Sequence, residues 1–454
     1  MPVTDARDRE IVRLAVPAFL ALVAEPLFLL ADAAIIGHLG TAPLAGLGIA
    51  GAILQTVVGL CIFLAYGTTA SVARYLGAGD LRSAITHGID GMWLAVGIGS
   101  LVTVAGVLLA GPVVRLFGAS EQVAGPATTY LRIAFLGTVP LLVMLAATGV
   151  LRGLQDTRTP LVVAVAGNAL NVALNLVLVY PAGLGIAGSA LGSVLAQAAS
   201  AAAFVVVVVR AARRHGAALR PDLPGIRSAG RAGVPLVVRT LTLRAALLLT
   251  TYVVTAAALG AREQEVDLAT HQVAMTIWGF LAFALDAIAI AAQAITGRAL
   301  GAGDVTGTRR LTARMVRWGA VSGVLTGVLL ALVSPVLGHL FTSDAEVQDL
   351  LVPVLLVAAA GQPVAGVVFV LDGVLIGAGD GRYLARAGLL TLAAYAPVAI
   401  ACAALQAGLV SVWVSFCAVF MGARLVVLVH RERGDAWLVT GTGARPGTAR
   451  RVTP

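Results

Sequence analysis

The sequence predicts an all-α polytopic membrane protein, with twelve transmembrane helices arranged as two homologous six-helix lobes around a central cavity. Three observations support this fold class: the composition, a series of long apolar stretches, and a repeat of one half of the chain in the other. Hydrophobic residues make up 59% of the chain and charged residues only 12%. So few polar side chains cannot cover a soluble body of 454 residues. Lipid is therefore expected to surround most of the surface.

Twelve apolar stretches are long enough to cross about 30 Å of hydrocarbon as helices. In the first half they are residues 14–36, 44–72, 88–109, 128–150, 160–179 and 188–209. In the second half they are residues 234–259, 268–294, 320–337, 350–375, 385–404 and 410–429. Helices satisfy their own backbone polar groups in lipid, and the sequence lacks the alternating segments of a membrane barrel.

Two motifs recur at an offset of 224 residues. Residues 74–80 (RYLGAGD) match residues 298–304 (RALGAGD) at 6 of 7 positions, and residues 149–158 match residues 373–382 at 6 of 10. We predict a first lobe over residues 1–215, a cytoplasmic linker over 216–230, a second lobe over 231–435 and a flexible cytoplasmic tail over 436–454. Because each half has six spans, both halves enter the membrane from the same side. Such internal duplication is typical of transporters.

The arginines orient the predicted spans. The chain has no lysine, and 26 of its 31 basic residues, including the six from Arg424 to the end, fall in segments on one side of the membrane, whereas only Arg115 and Arg262 lie in loops on the other. The positive-inside rule then predicts cytoplasmic N- and C-termini in a multi-pass protein of the cell inner membrane. The net charge of +9 is accounted for by this bias and by anionic lipid headgroups, so no nucleic-acid partner is expected.

Several segments resemble a known family. Residues 26–40 (PLFLLADAAIIGHLG), followed by Leu44-Ala-Gly-Leu-Gly48, resemble the first-helix signature of the DinF-like branch of the multidrug and toxic compound extrusion (MATE) family. Residues 168–175, 285–293 and 371–380 are similar to further parts of the same pattern, and the resemblance covers the whole chain. It implies an antiporter that exports amphipathic, often cationic organic compounds in exchange for protons or, as the less favoured ion, sodium.

The same resemblance implies a coupling role for Asp32, because an acidic residue of the first helix is the coupling site in that family. The residues themselves point the same way, since a carboxylate inside a membrane span is expensive and marks a functional site by default. Glu25 lies seven residues earlier, on nearly the same helical face. Pro26 lies between them and is expected to kink the helix. A fixed polar contact between helices is the alternative role for Glu25.

The fifth span offers partners for this site. Asn168, Asn171 and Asn175 fall on one helical face, and their amides can donate to a carboxylate or offer oxygen to a cation. Hydrogen bonding between helices, without a role in coupling, is the alternative. One branch of the resembled family has aspartate at the position of Asn175. The missing negative charge favours protons over sodium.

The second lobe carries its own intramembrane polar residues: Arg239, Arg244, Asp286, Gln293 and Asp372. Because unpaired charges in a span are costly, we expect arginine–aspartate pairs within this lobe, although the sequence does not specify them. Asp286 and Gln293 share a helical face. A buried network that holds the lobe together is favoured over direct contact with substrate or protons.

Other features add less. Gln55, Tyr66, Met275 and Phe283 are possible lining residues of a cavity for bulky apolar cations, although single aromatic residues in spans usually face lipid. His38 and His271 lie near helix ends and are not expected to bind a metal, since neither has a second ligand three or four residues further along the chain. We expect no cofactor, no metal, no catalytic residue and a monomeric chain.

Three alternatives to an antiporter remain open. A lipid-linked precursor flippase of related architecture would need several arginines facing its cavity, and only Arg132, Arg239 and Arg244 lie inside spans. An enzyme is disfavoured because no catalytic constellation is found at the cytoplasmic span ends, and a channel because no filter-like segment is visible.

The repeat itself locates the functional candidates. Aligning Pro17 with Pro235 places Asp32 opposite Thr250, and the offset of 224 places Asp372 opposite Thr148. The repeated motifs therefore form the scaffold, and the charged candidates lie where the halves differ.

Overall fold

A computed structural model describes residues 6–116, 118 and 120–442, and almost all of these residues are helical. The helices are α1 (Ala6–Gly37), α2 (Thr41–Cys61), α3 (Phe63–Gly77), α4 (Leu81–Leu116), α5 (Glu121–Leu136), α6 (Thr138–Gly153), α7 (Arg158–Val179), α8 (Gly185–His215), α9 (Leu223–Ala257), α10 (Ala261–Gly301), α11 (Val305–Phe341), α12 (Ala345–Gly377), α13 (Gly381–Ala404), α14 (Gly408–Ser415), and, after a π-helical turn at Phe416–Phe420, α15 (Met421–Arg433).

The predicted all-α class and span number are confirmed. Within the described residues, 11 helical segments are long and apolar enough to cross a membrane, and the bent pair α5 and α6 brings the number to 12. The span predicted over residues 128–150 is bent, because α5 and α6 meet at an angle of 50°. Pro140 has no N–H to donate to the carbonyl of Leu136, which weakens the helix at this break.

The described chain divides into two compact units. One contains residues 16–233, and the other contains residues 6–15 together with 234–442. Residues 6–15 were predicted to belong to the first lobe, over residues 1–215, but they pack with the second unit. Side-chain contacts explain why: the Asp8 carboxylate accepts hydrogen bonds from Arg314 Nε at 2.6 Å and Trp318 Nε1 at 2.9 Å. Glu10 pairs with Arg298 at 2.5 Å.

The predicted linker over residues 216–230 is helical from Leu223 onward. The beginning of this helix packs against α4. Asp90 of α4 is 2% exposed and accepts a hydrogen bond from the backbone of Asp222. A β-carbon on Gly225 would lie 2.2 Å from Asp90 Oδ2. This close approach requires a glycine.

The predicted flexible tail over residues 436–454 is ordered at its start. Trp437 is buried and its Nε1 donates to the carbonyl of Glu432 at 2.9 Å. The backbone N–H of Gly441 donates to the carbonyl of Leu300, also at 2.9 Å. Residues 443–454 lie outside the described part of the chain.

Each unit has its own core. In the unit of residues 16–233, buried side chains of α2, α4 and α5 surround Tyr130 and Leu131. In the other unit, the rings of Trp278, Trp413 and Phe416 pack edge to face, with centroids 5.6 to 6.3 Å apart. These cores determine where the polar side chains described next can lie.

Candidate functional site

Asp32 lies at the centre of a buried hydrogen-bonding cluster. Its side chain is in α1, and the residue is 3% exposed. Oδ1 accepts hydrogen bonds from Asn175 Nδ2 at 2.8 Å and from Ser189 Oγ at 2.6 Å. Oδ2 accepts a longer bond from Tyr130 OH, at 3.4 Å. Three helices, α5, α7 and α8, thus present donors to one carboxylate.

Helix α7 and Tyr180, the residue that follows it, are hydrogen-bonded to α1 at three levels. Asn168 Nδ2 donates to the carbonyl of Ala24 at 3.0 Å, Asn175 to Asp32, and the hydroxyl of Tyr180 to the carbonyl of Ile35 at 2.8 Å. The Ala24 bond lies two residues before Pro26, where the proline interrupts the backbone hydrogen bonds of α1. Any movement of α1 relative to α7 must break or replace these bonds.

Glycine makes the approach of α8 possible. A β-carbon at Gly192 would lie 2.2 Å from Asn175 Oδ1 and 3.2 Å from its backbone nitrogen. Ser189 precedes it on the same helix and reaches Asp32. The absence of a side chain at residue 192 therefore allows the amide of Asn175 to reach the carboxylate.

Opposing influences act on the Asp32 carboxylate. Burial disfavours its charge, whereas the three donors favour it. Among the described residues, Asn175 Oδ1 and Asn171 Oδ1 are buried acceptors without a hydrogen-bond partner. An acceptor next to a carboxyl group can receive its proton when the acid is neutral. The cluster thus has partners for both protonation states.

The other predicted members of this site take different positions. Asn171 donates to Ser193 Oγ at 3.0 Å rather than to Asp32. Glu25 is exposed, and no hydrogen-bond or ion-pair partner for it occurs in the described residues. Pro26 lies inside the continuous helix α1. The predicted association of Asn175 with Asp32 is found, whereas Glu25 is not part of the cluster.

Gly192→Ala tests the packing at Asn175. The added methyl group must displace the amide from Asp32, and overpacking of this kind typically costs about 1–3 kcal/mol. We expect the free energy of unfolding to fall by about this amount, measured by unfolding in mixed detergent micelles. Gly51→Ala is the matched control, since nothing lies within 4 Å of its added carbon. Equal stability of the two variants would contradict the predicted clash.

The second unit contains a separate charge network. Asp372 in α12 is 4% exposed and forms an ion pair with Arg239 of α9. Its Oδ1 lies 3.3 Å from Arg424 Nη2, and the charge of Asp286 also acts on Arg424. The expected arginine–aspartate pairing therefore occurs within this unit, with one carboxylate between two guanidinium groups.

Two assignments for these residues need correction. Arg244 does not join the network: it is exposed, and the described residues provide it with no ion pair. Arg424, which was predicted to be one of the cytoplasmic arginines, is 9% exposed and belongs to the network. It lies inside the predicted span of residues 410–429 and was omitted from the arginines counted inside spans, although this position was the signal that could have identified it. Gln293 is buried in α10 and, within the described part of the chain, makes no hydrogen bond to Asp372.

The predicted cavity-lining residues belong to different units: Gln55 and Tyr66 to that of residues 16–233, and Met275 and Phe283 to the other. Gln55 is exposed, whereas Tyr66, Met275 and Phe283 are half-buried. The ring of Phe283 packs against Phe280 with centroids 6.4 Å apart. An apolar cavity of about 490 Å³ between α2, α4 and α5 is lined by other residues, such as Val57, Val102 and Leu131.

Sequence reasoning also missed Ser189 and Tyr130. A single serine or tyrosine in a span carries little signal, because both residue types occur at many helix contacts. The spacing of Ser189 and Ser193, four residues apart beside Gly188 and Gly192, was the only pattern that pointed to a close polar contact of α8. Tyr130 had no such pattern.

Two repeated helical units and a buried carboxylate surrounded by donors on neighbouring spans are typical of membrane transporters. The MatE family pattern matches the chain twice, at residues 17–177 and 241–405. The chain is 30% identical to the chloroplastic Protein DETOXIFICATION 44 of Arabidopsis thaliana, over 92% of this chain and 80% of that protein. It is also 30% identical to DNA damage-inducible protein F of Escherichia coli K12, over 82% and 81%.

A solved structure of a multidrug resistance MATE transporter in an outward-facing conformation has the same fold. It superposes with a TM-score of 0.84 at 21% identity, over 93% of this chain and 94% of that one. The chain belongs to the multidrug and toxic compound extrusion (MATE) family. It is therefore a multi-pass membrane transporter and not an enzyme, and the flippase alternative finds no support among these relatives.

Proposed function

We propose that this transporter is an antiporter that exports amphipathic, often cationic organic compounds in exchange for protons. The observation that carries the proposal is the Asp32 cluster, in which a buried carboxylate contacts donors from three other helices. The hydrogen bond between Asp32 and Asn175 is also one of the three that join α1 to α7 and Tyr180. A change of charge at Asp32 is thus well placed to alter the packing of α1.

The amide of Asn175 supplies a mechanism for that change. With Asp32 ionised, Asn175 Nδ2 donates to the carboxylate. Once the acid is protonated, its hydroxyl becomes a donor, and a half-turn of the amide brings the unpartnered Oδ1 into position to accept. Protonation also removes the attraction of the carboxylate for a cationic compound. A difference of one pKa unit between two conformations shifts their equilibrium by about 1.4 kcal/mol.

The coupling ion follows from the charge of the cluster. Asp32 is the only acidic residue in contact with Asn175, Ser189 and Tyr130 among the described residues. A sodium ion that loses its water requires several oxygen ligands and benefits from more than one negative charge. One carboxylate surrounded by donors is better suited to taking up a proton than to binding a metal cation.

The experiment that tests this function is transport in proteoliposomes. We expect uptake of tetraphenylphosphonium when the vesicle interior is acidic relative to the medium, and no stimulation by an equivalent sodium gradient. Dissipation of the pH gradient with an ionophore should stop net accumulation. Accumulation driven by sodium alone would refute proton coupling, and no accumulation of any organic cation under either gradient would refute the proposed substrate class.

Asn175→Asp tests the choice of ion. A second carboxylate beside Asp32 adds the negative charge that a sodium site requires, so we expect sodium-driven uptake to appear in this variant. Asn171→Asp is the matched control, because Asn171 contacts Ser193 and not Asp32. An unchanged sodium response in Asn175→Asp would contradict our explanation of why protons are preferred.

The orientation and setting of the transporter are part of the same proposal. The arginine distribution supports cytoplasmic termini in the cell inner membrane. We expect a monomer, without a cofactor. Labelling of single cysteines from either side of intact cells would test the orientation.

A further inference from the structure

A cavity of about 450 Å³ opens at the N-terminal ends of α10, α12 and α14, in the unit of residues 6–15 and 234–442. We call it the α10/α12/α14 cavity. It lies at the end of this unit that holds Arg262, which is predicted to face the outside of the cell. Neither the Asp32 cluster nor the Asp372 network contributes to its lining.

Asp267 lines this cavity and is the feature that requires an explanation. The residue is 5% exposed, and its carboxylate has no hydrogen-bond or ion-pair partner in the described residues. A largely buried carboxylate loses most of its hydration, and here no protein partner replaces that water. The open side of the cavity is where a partner can approach.

The lining as a whole is negative. It contains three acidic residues, Glu263, Asp267 and Glu346, and one basic residue, Arg262. The arginine is already occupied, because its side chain donates to Asp344 at 2.7 Å and to Glu346 at 3.0 Å. The same guanidinium lowers the pKa of Asp344, which keeps that carboxylate ionised. Arg262 is therefore not available to neutralise Asp267.

The cavity is poorly suited to a metal ion. Within the described residues, no three histidine, cysteine, aspartate or glutamate side chains are arranged to hold one. The remaining wall is apolar, with Val266, Leu350, Leu409 and Val410. A carboxylate within an apolar wall matches a molecule that carries one positive charge on a hydrophobic body.

The three helix N-termini act in the opposite direction, since their dipoles favour anions. Glu263 lies in the first turn of α10 and Glu346 in the first turn of α12, and these carboxylates offset the dipoles. Asp267 is then the carboxylate whose negative charge is available to a ligand. An anion would have to approach this buried carboxylate.

We propose that the α10/α12/α14 cavity binds a monovalent amphipathic organic cation, with Asp267 as its counter-ion. This is a second cation site in a different unit from Asp32. It goes beyond the proposed function and does not depend on proton coupling. Binding at this cavity and transport through the protein are measured separately.

Protection of a cysteine in the wall tests the proposal. Leu350→Cys is introduced together with Cys402→Ser, because Cys402 is half-buried whereas Cys61 and Cys417 are buried. Purified protein in detergent is labelled with a maleimide in the presence of tetraphenylphosphonium or of tetraphenylborate, two ions of matched shape and opposite charge. Free concentrations are set by equilibrium dialysis, so that partition into micelles is corrected. We expect protection by tetraphenylphosphonium and not by tetraphenylborate.

Asp267→Asn should raise the concentration needed for half-protection by about tenfold, which corresponds to about 1.4 kcal/mol. Asp267→Glu keeps the charge and should change it far less. Protection should persist in Asp32→Asn, which separates this site from the coupling site. Unchanged protection in Asp267→Asn, equal protection by both ions, or an introduced thiol that maleimide cannot reach would overturn the proposal. If Asp267→Asn does not fold, the comparison of the two ions on the protein with Asp267 intact still decides.

Discussion

Asp32→Asn is expected to reduce pH-driven export to the level of protein-free vesicles. Asparagine has almost the same shape as aspartate and can keep contacts with Asn175, Ser189 and Tyr130, but it cannot take up or release a proton. The buried cluster would therefore persist while its charge no longer changes. The measurement is the initial rate of tetraphenylphosphonium uptake, together with proton flux, in proteoliposomes with an imposed pH gradient.

Two controls accompany this variant. Asp349→Asn makes the same chemical change at an exposed residue of α12 and should leave uptake within about twofold, as surface substitutions normally have small effects. Asp32→Glu keeps a titratable group and should retain part of the activity. Proton-coupled export by Asp32→Asn at the rate of the natural sequence would show that another group carries the proton. Loss of uptake by Asp349→Asn would show that the assay does not isolate the site.

The second large effect concerns the stability of the second unit. Asp372→Leu leaves Arg239 and Arg424 without their shared carboxylate in a buried environment. Removal of one partner from a buried ion pair typically costs about 3–5 kcal/mol. We expect a loss of this size in the free energy of unfolding, measured in mixed detergent micelles.

The controls separate pairing from packing. Arg244→Met removes an arginine that is also in α9 but is exposed, and it should change stability by about 0.5 kcal/mol or less. Asp372→Leu combined with Arg239→Met removes a charge of each sign and should recover part of the lost stability. If Asp372→Leu is as stable as the natural sequence, the network does not hold the unit together. A direct role in transport would then be the better interpretation.

The two units differ at related positions, as the repeat indicated. Thr250 aligns with Asp32, and its hydroxyl lies 2.7 Å from the hydroxyl of Tyr395. Tyr395 is offset by 224 residues from Asn171, which belongs to the same helix as Asn175. Both units therefore join their first and fifth spans by a buried polar contact. Only one of the two contacts contains a titratable acid.

The composition, the apolar stretches and the repeat were sufficient for the helical class and the number of spans, and the polar residues inside the spans indicated Asp32 and Asn175, which are hydrogen-bonded to each other. These features depend on local sequence patterns, because an apolar span and an acid inside it can be identified without knowing which helices pack against it. Gly137 and Pro140 are local signals of the break between α5 and α6. Because glycine and proline are common in spans, these two residues did not single out a bend.

The partners of each charge depended on the packing of helices distant in sequence. Ser189 is 157 residues from Asp32, and the pairing of Arg424 with Asp372, or the lack of a partner for Asp267 within the described residues, appears only when several helices are placed together. Helix periodicity gives the face on which a side chain lies, but not which face of which helix it meets. Those contacts determine whether a buried charge is paired. They therefore also determine whether the charge stabilises the fold or is available to bind a ligand.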